Sequence, residues 1–155
     1  MVLPDAGHKE PQMSKMIPYE QAKVIFDKVL AIDVDKIRPV TDERLYQKEF
    51  AKALRTFLKA YKLSSRDISV KSAVGSMCYW IDVRLPHIDR GKTYFEISSM
   101  PADEKEEWFA QSRVLEEHRH DANAHMRKII DAAFPGCRDR SDSMVDYFDF
   151  MYTIH

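Results

Sequence analysis

The chain has 155 residues, and its 24 basic and 25 acidic side chains give a net charge of −1. This length is sufficient for one domain with its own hydrophobic core. The balanced charge gives no overall attraction to nucleic acid or to an anionic membrane, and it excludes a strongly acidic mimic of DNA. With only four glycines, the chain is also a poor candidate for a glycine-rich phosphate loop or a turn-rich β-sandwich.

Neither a membrane span nor a secretory signal is indicated by the pattern of apolar residues. No window is long enough and apolar enough to cross a bilayer, and the first residues lack the apolar centre of a signal peptide. The two cysteines, Cys78 and Cys137, form no CxxC pair and no metal-ligand spacing. Two thiols in a chain of this size suit a reducing compartment. We therefore expect a cytoplasmic protein without a membrane partner.

The chain begins with a polar segment, residues 1–17, which we predict to be an N-terminal tail because it has no periodicity. A single α+β domain is predicted over residues 18–155. Its first helix is predicted over residues 18–32, where Pro18 suits a first helical turn and apolar residues recur at helical spacing.

The second helix is predicted over residues 41–63, with Thr41 as its N-cap. Its solvent side carries the densest group of basic residues in the chain: Lys48, Lys52, Arg55, Lys59 and Lys62. This group is typical of a solvated helix face, and an anion-binding surface is the alternative.

Residues 67–85 have the pattern of a β-hairpin with a two-residue turn at Gly75 and Ser76. That turn predicts three cross-strand pairs on the polar face: Lys71 with Trp80, Ser69 with Asp82, and Asp67 with Arg84. The opposite face is almost entirely apolar, so a shift by one residue would expose the whole apolar set.

The remainder of the chain predicts a strand over residues 93–98, a long helix over 101–134 and a last strand over 146–155. The helix has acidic residues at its start and basic residues near its end, as the helix dipole favours. We expect its second half to pack on the sheet, and its first half to project or to break near Ser112. The last strand follows from strict alternation of aromatic and polar residues.

The whole pattern predicts an α+β fold in which helices cover one face of an antiparallel sheet. The predicted core residues are Phe57, Met77, Tyr79, Ile81, Val83, Phe148 and Phe150.

One helical run, residues 116–125, is rich in histidine and carboxylate side chains, which are zinc ligands. Its candidate metal ligands are His118, Asp121 and His125. A pair of histidines four residues apart is missing, because Ala122 occupies that position. A solvated helix face is the preferred interpretation, and no metal, cofactor or catalytic residue is assigned.

Two surfaces are candidates for binding a partner. On the hairpin, Trp80 points away from the predicted core, flanked by Lys71 and Arg84, as in interaction hot spots and in surfaces that stack unpaired bases. The alternative is that another element covers this face and Trp80 belongs to the core. On the projecting half of the long helix, Trp108 and Phe109 form the second candidate surface.

The hairpin DISVKSAVGSMCYWIDVRL and the C-terminal stretch FPG…DSMVDYFDFMYTIH together resemble large polyvalent protein-associated domains, which are small α+β proteins of bacteriophages and mobile elements. The resemblance does not extend to the N-terminal region. It implies an accessory protein that acts by binding, in the host cytoplasm if phage-encoded, and it implies no catalytic residue.

Three functional hypotheses follow. The first is a non-catalytic phage or mobile-element accessory protein that binds a protein partner or self-assembles into a homo-oligomer. The second is a single-stranded nucleic-acid-binding protein that uses the outer sheet face and the basic second helix. The third is a metal-dependent hydrolase built around His118, Asp121 and His125.

Overall fold

The computed structural model describes residues 16–75, 79–138 and 151–155. The helices and strands are, in chain order, β1 (Met16–Pro18), α1 (Tyr19–Leu30), a 3-10 helix (Val34–Lys36), α2 (Gln47–Ala60), β2 (Ser69–Val74), β3 (Tyr79–Arg84), β4 (His87–Asp89), α3 (Tyr94–Ser98), α4 (Ala102–Ala133), a second 3-10 helix (Pro135–Cys137) and β5 (Tyr152–Ile154). The predicted α+β class is confirmed.

A three-stranded sheet in the order β2-β3-β5 carries the core on one face. Alternate residues such as Val70, Ile81 and Val83 are buried there with apolar side chains of α1, α2 and α4. The ring centroids of Phe50 in α2 and Tyr152 in β5, for example, lie 6.0 Å apart. The helices therefore form one layer and the sheet forms the other.

Strands β2 and β3 are antiparallel, and their register differs by two residues from the predicted one. Lys71 lies opposite Asp82, and Ala73 lies opposite Trp80. The predicted Lys71–Trp80 and Ser69–Asp82 pairs are therefore wrong, and Arg84 lies opposite Ser69 and not opposite Asp67 as predicted. A shift of two residues keeps every side chain on its predicted face, because side chains alternate with a period of two. Gly75 begins a longer connection than the two-residue turn we predicted, and residues 76–78 lie outside the described chain.

The last strand runs parallel to β3, with Tyr152 beside Ile81 and Ile154 beside Val83. The predicted sheet was antiparallel, so this part of the prediction is wrong. Alternation of polar and apolar residues specifies faces and contains no information about strand direction. Residues 146–150, which include the predicted core residues Phe148 and Phe150, lie outside the described chain, as does Met77.

At the described end of the hairpin, two apolar side chains lie outside the core. Tyr79 is 64 % exposed and Val74 is 67 % exposed, although both lie on the apolar face of the hairpin. The prediction that Tyr79 belongs to the core is therefore wrong. No helix of the described chain reaches these two side chains closely enough to bury them, so only the part of the hairpin near Ile81 lies over the helices.

The predicted strand over residues 93–98 is wrong, because Tyr94–Ser98 forms the short helix α3. Its start is a capping box: Thr93 Oγ1 accepts from the Glu96 N–H, and the Glu96 carboxylate accepts from the Thr93 N–H. These reciprocal bonds satisfy two backbone N–H groups at the start of the helix, so they favour a helix over a strand here.

A short parallel pair joins β1 to β4, with Ile17 beside Ile88. We predicted Met16 and Ile17 to belong to the tail, and we predicted no strand over residues 87–89. Each strand has three residues, too few for alternation to be recognised. Residues 1–15 lie outside the described chain.

Helices α1 and α4 follow their predicted bounds closely, whereas α2 begins at Gln47, six residues later than predicted. Thr41 caps no helix; its Oγ1 accepts from the Glu43 N–H in a turn. Before that turn, the Val40 N–H donates to the carbonyl of Ala133, so the segment is bound to the end of α4.

Helix α4 is continuous over 32 residues, so the predicted break near Ser112 does not occur. Its second half is buried through Ala122, Met126 and Ile129, as expected for a half that packs on the core. In the described chain, no helix combines the length and the apolar character that crossing a membrane requires.

Candidate protein-interaction site

The Asp82 carboxylate is the centre of the outer sheet face that we predicted as a partner surface. Its Oδ1 accepts hydrogen bonds from Trp80 Nε1 at 2.9 Å and from Thr153 Oγ1 at 2.8 Å. Its Oδ2 lies 3.3 Å from an Arg84 guanidinium nitrogen, and His155 Nε2 lies 3.4 Å from Oδ1. Trp80 and Arg84 are thus both engaged with a side chain of their own protein.

Burial alone raises the pKa of Asp82, but hydrogen bonds from Thr153, Trp80 and Arg84 outweigh burial and place this pKa below its ordinary value. The carboxylate is therefore charged at neutral pH. Lys71, across the strand pair, is exposed, and Trp80 is half-buried. The face is neither fully covered nor fully open. The face presents the indole ring of Trp80, which the Asp82 carboxylate holds in place.

The Asp82→Asn variant tests this network through the pH dependence of stability. We expect a loss of about 1 kcal/mol at neutral pH, because charge-assisted hydrogen bonds are replaced by neutral ones. A depressed folded-state pKa stabilises the protein fully above the unfolded-state pKa, about 3.9. That contribution disappears as the pH falls through the folded-state pKa. Urea unfolding at neutral and acidic pH should therefore show that the free energies of unfolding of wild type and Asp82→Asn converge in acid.

A difference in the free energy of unfolding that is independent of pH would contradict the assignment. Asp121→Asn is the exposed control.

A second group of aromatic side chains lies in α3 and in the first half of α4, and it is here called the aromatic end: Tyr94, Phe95, Trp108 and Phe109. Tyr94 is 87 % exposed and Phe95 is 77 % exposed. In α4, Phe109 is 44 % exposed and its ring centroid lies 5.4 Å from that of Trp108. We predicted Trp108 and Phe109 as partner-binding residues, but not Tyr94 and Phe95, because we interpreted their segment as a strand. The Thr-x-x-Glu spacing at the start of α3 was the signal that would have identified them.

Arg90 binds the turn of α4 that carries Trp108 and Phe109. Its guanidinium lies 4.7 Å from the ring centroid of Trp108. One terminal nitrogen donates to the Trp108 carbonyl at 2.9 Å and to Ser112 Oγ at 2.7 Å, and the other donates to Gln111 at 3.0 Å. A groove of about 270 Å³ runs beside Arg90 and is lined by Trp108, Phe109 and Lys92, among others. These contacts of Arg90 anchor the first half of α4.

The predicted metal ligands serve mainly to join α1 to α4. His118 Nδ1 lies 3.0 Å from the Tyr19 hydroxyl, and its Nε2 lies 3.0 Å from Asp27 Oδ1. His125 Nε2 lies 2.7 Å from the Ile32 carbonyl. Asp121 is exposed. Within residues 16–75, 79–138 and 151–155, no three His, Cys, Asp or Glu side chains are placed to hold a metal ion together.

The basic residues of α2 do not extend the Trp80 face. Because α2 packs on the inner side of the sheet, its solvent side points away from the outer face. Lys52 lines an apolar groove, and Arg55 donates to the Val70 carbonyl at 3.1 Å. The two surfaces of the nucleic-acid hypothesis therefore lie on opposite layers.

Arg119, in α4, is a buried residue that we did not predict. It is 5 % exposed, and it donates to the Pro86 carbonyl at 3.0 Å and the Leu85 carbonyl at 3.3 Å. Burial lowers the pKa of His87, and the neighbouring Arg119 guanidinium lowers it further. The two hydrogen bonds of Arg119 hold the residues just before β4, the strand that precedes Arg90. Helical spacing alone cannot distinguish it from a solvated arginine.

Comparison of the chain with protein-family models, with curated proteins and with solved structures finds no match. The resemblance to polyvalent protein-associated domains therefore stays a prediction.

Proposed function

We propose that this protein is a non-catalytic binding protein that contacts a protein partner through the aromatic end. The observation that carries the proposal is the exposure of Tyr94 and Phe95, at 87 % and 77 %. Large aromatic side chains are seldom left so accessible, and contiguous exposed apolar groups mark interaction sites. Aromatic residues are also enriched at the centres of protein interfaces.

The rigidity of the aromatic end supports the same conclusion. The capping box limits the motion of α3, and Arg90 binds the turn of α4 that presents Trp108 and Phe109. A surface that is ordered before binding loses less conformational entropy when a partner arrives. Backbone contacts of this kind therefore favour binding through the exposed aromatic side chains that the two helices carry.

The outer sheet face supports binding less directly. The indole N–H of Trp80 and the guanidinium of Arg84 are bonded to Asp82, which also places a negative charge on this face. The Arg84 guanidinium offsets that charge, and the indole and guanidinium groups are already bonded to Asp82, so no observation favours the nucleic-acid hypothesis, which stays a prediction. We also propose partner contacts on the outer sheet face, at Lys71, Trp80 and Arg84, with less support than at the aromatic end. We place the binding protein in the cytoplasm, as an accessory protein of a phage or mobile element.

Site-specific photo-cross-linking in cells that express the protein tests the proposal. A photo-reactive phenylalanine replaces Phe95 in one variant and Tyr79 in the control, because both aromatic side chains are exposed and Tyr79 lies in β3, outside the aromatic end. We expect a protein adduct of one defined mass from position 95 and not from position 79. Excess untagged wild type should suppress the adduct, whereas an excess of the Tyr94→Ala/Phe95→Ala variant should not.

Mass spectrometry of the adduct identifies the partner. Equal adducts from positions 95 and 79 would indicate non-specific contact, and no adduct at position 95 would contradict binding at the aromatic end. Competition by the Tyr94→Ala/Phe95→Ala variant would also contradict it, since these two side chains carry the proposed contact.

A further inference from the structure

The aromatic end lies in an acidic stretch of the chain. Residues 89–117, which include α3, the first half of α4 and Arg90, contain eight acidic and four basic side chains. The net charge of this stretch is −4, whereas the whole chain has a net charge of −1. The exposed aromatic side chains are therefore presented in a negative local field.

The acidic side chains of α4 lie beside the aromatic rings in space. Glu104 is four residues before Trp108, and Glu106 is three residues before Phe109. These spacings make two side chains neighbours on the surface of a helix. Both carboxylates are exposed, so a partner that contacts the rings also meets the two carboxylates.

The rings of α3 lie close to the same carboxylates. Only three residues separate α3 from α4. Lys105 Nζ in α4 donates to the Ser98 carbonyl at the end of α3, at 3.4 Å. Because α3 has five residues, it is only about 8 Å long at ~1.5 Å per residue. Tyr94 and Phe95 are therefore near the acidic first turns of α4.

Neighbouring basic side chains do not cancel the acidic excess. The groove beside Arg90 is itself balanced, since its charged lining residues are two acidic and two basic: Asp89, Glu116, Arg90 and Lys92. The excess comes from the first turns of α4. There, Asp103, Glu104 and Glu106 make no side-chain hydrogen bond or ion pair within the part of the chain that the structure describes. These three carboxylates are available to a basic partner.

We propose that the aromatic end binds a basic segment of a protein partner. Apolar side chains of that segment contact the rings of Tyr94 and Phe95, and its Lys or Arg side chains lie beside Glu104 and Glu106. This inference rests on the proposed function and specifies the chemistry of the partner. Aromatic contact supplies most of the affinity, and complementary charge speeds the encounter and selects the partner. The same negative field opposes nucleic acid and anionic lipid, which carry phosphate groups.

The photo-cross-link at position 95 provides the first test. Peptide mapping of the adduct locates the cross-linked residue in the partner. We expect the ~20 residues around it, about one side of a standard interface, to carry a net positive charge and to include apolar side chains.

Charge reversal beside the rings is the second test. Untagged Glu104→Lys/Glu106→Lys is compared with untagged wild type as a competitor for the Phe95 adduct in an extract of the same cells. We expect at least roughly tenfold more of the variant to be needed, because like charges now face the basic segment. Added salt should reduce the advantage of wild type, since exposed charges are screened.

The matched control is Glu20→Lys/Asp121→Lys, which makes the same change in net charge at exposed positions outside residues 89–117. It should compete as well as wild type. Circular dichroism checks that each variant remains folded. If Glu104→Lys/Glu106→Lys does not fold, Glu104→Gln/Glu106→Gln replaces it, with an expected loss of roughly threefold because charge is removed and not reversed.

The possible failures are distinguishable. Absence of any protein adduct at position 95 contradicts the proposed function itself, as does a cross-link within one molecule. An adduct whose partner segment is neutral or acidic overturns the inference and leaves the proposed function intact. Equal competition by wild type and by the variant altered at Glu104 and Glu106 also overturns the inference. Equal weakening by the matched control overturns it too, because the effect would then follow the net charge of the whole protein.

Discussion

Replacing Gly136 with alanine is expected to lower the free energy of unfolding by about 3 kcal/mol, the upper range for overpacking a closed site. A Cβ atom at this position would lie 2.6 Å from the carbonyl oxygens of Asp42 and Glu43. Both contacts are with backbone, which cannot rotate away as a side chain does. The substitution must therefore separate the end of α4 from the segment that leads into α2.

Urea denaturation measures this loss, with Gly91→Ala as the control. Gly91 has a φ of +77° and open space around its Cβ position. Alanine there should cost only the strain of a left-handed backbone, about 1 kcal/mol. Stability losses of equal size in the two variants would show that the close approach at Gly136 is relieved at little cost.

Replacing Arg119 with alanine is expected to destabilise the protein by about 2–4 kcal/mol. The buried guanidinium donates to the carbonyls of Leu85 and Pro86, which no longer have this donor in the variant. An unsatisfied buried acceptor costs about 1–3 kcal/mol, and removing the long side chain also leaves a cavity. The loss should be accompanied by faster amide exchange in β4, which Arg119 supports.

Arg113→Ala is the matched control for Arg119, since Arg113 is an exposed arginine of the same helix. Its loss should change stability by less than about 0.5 kcal/mol, as is usual for surface substitutions. If the two variants were equally stable, the hydrogen bonds of Arg119 would contribute nothing net. If β4 exchange were unchanged in Arg119→Ala, Arg119 would not position that strand.

The sequence predicted the elements whose signals are local and long. Helix α4 was predicted within one residue at each end, because acidic residues mark its start and Pro135 with Gly136 marks its stop. The inner and outer faces of the hairpin were predicted through alternation. Trp108 and Phe109 were identified as surface candidates from their place on the more polar half of that helix.

Elements that depend on distant partners were not predicted. The pairing of β1 with β4 joins residues about 70 positions apart through three-residue strands, too short for a periodic signal. In α3, adjacent aromatic residues favoured a strand, since aromatic side chains have high β-propensity, and the capping box outweighed that preference. Exposure of Tyr94 and Phe95 depends in turn on which elements approach them.

The sequence by itself determined the α+β class, the course of α1 and α4, and the face on which each residue of β3 lies, because periodicity and capping act over a few residues. Only the tertiary structure decided the two-residue register of the hairpin, the direction of β5, the partners of Arg119 and His118, and which aromatic side chains stay exposed. Those outcomes depend on contacts between segments far apart in the chain, where several arrangements satisfy the same local pattern and packing selects one of them.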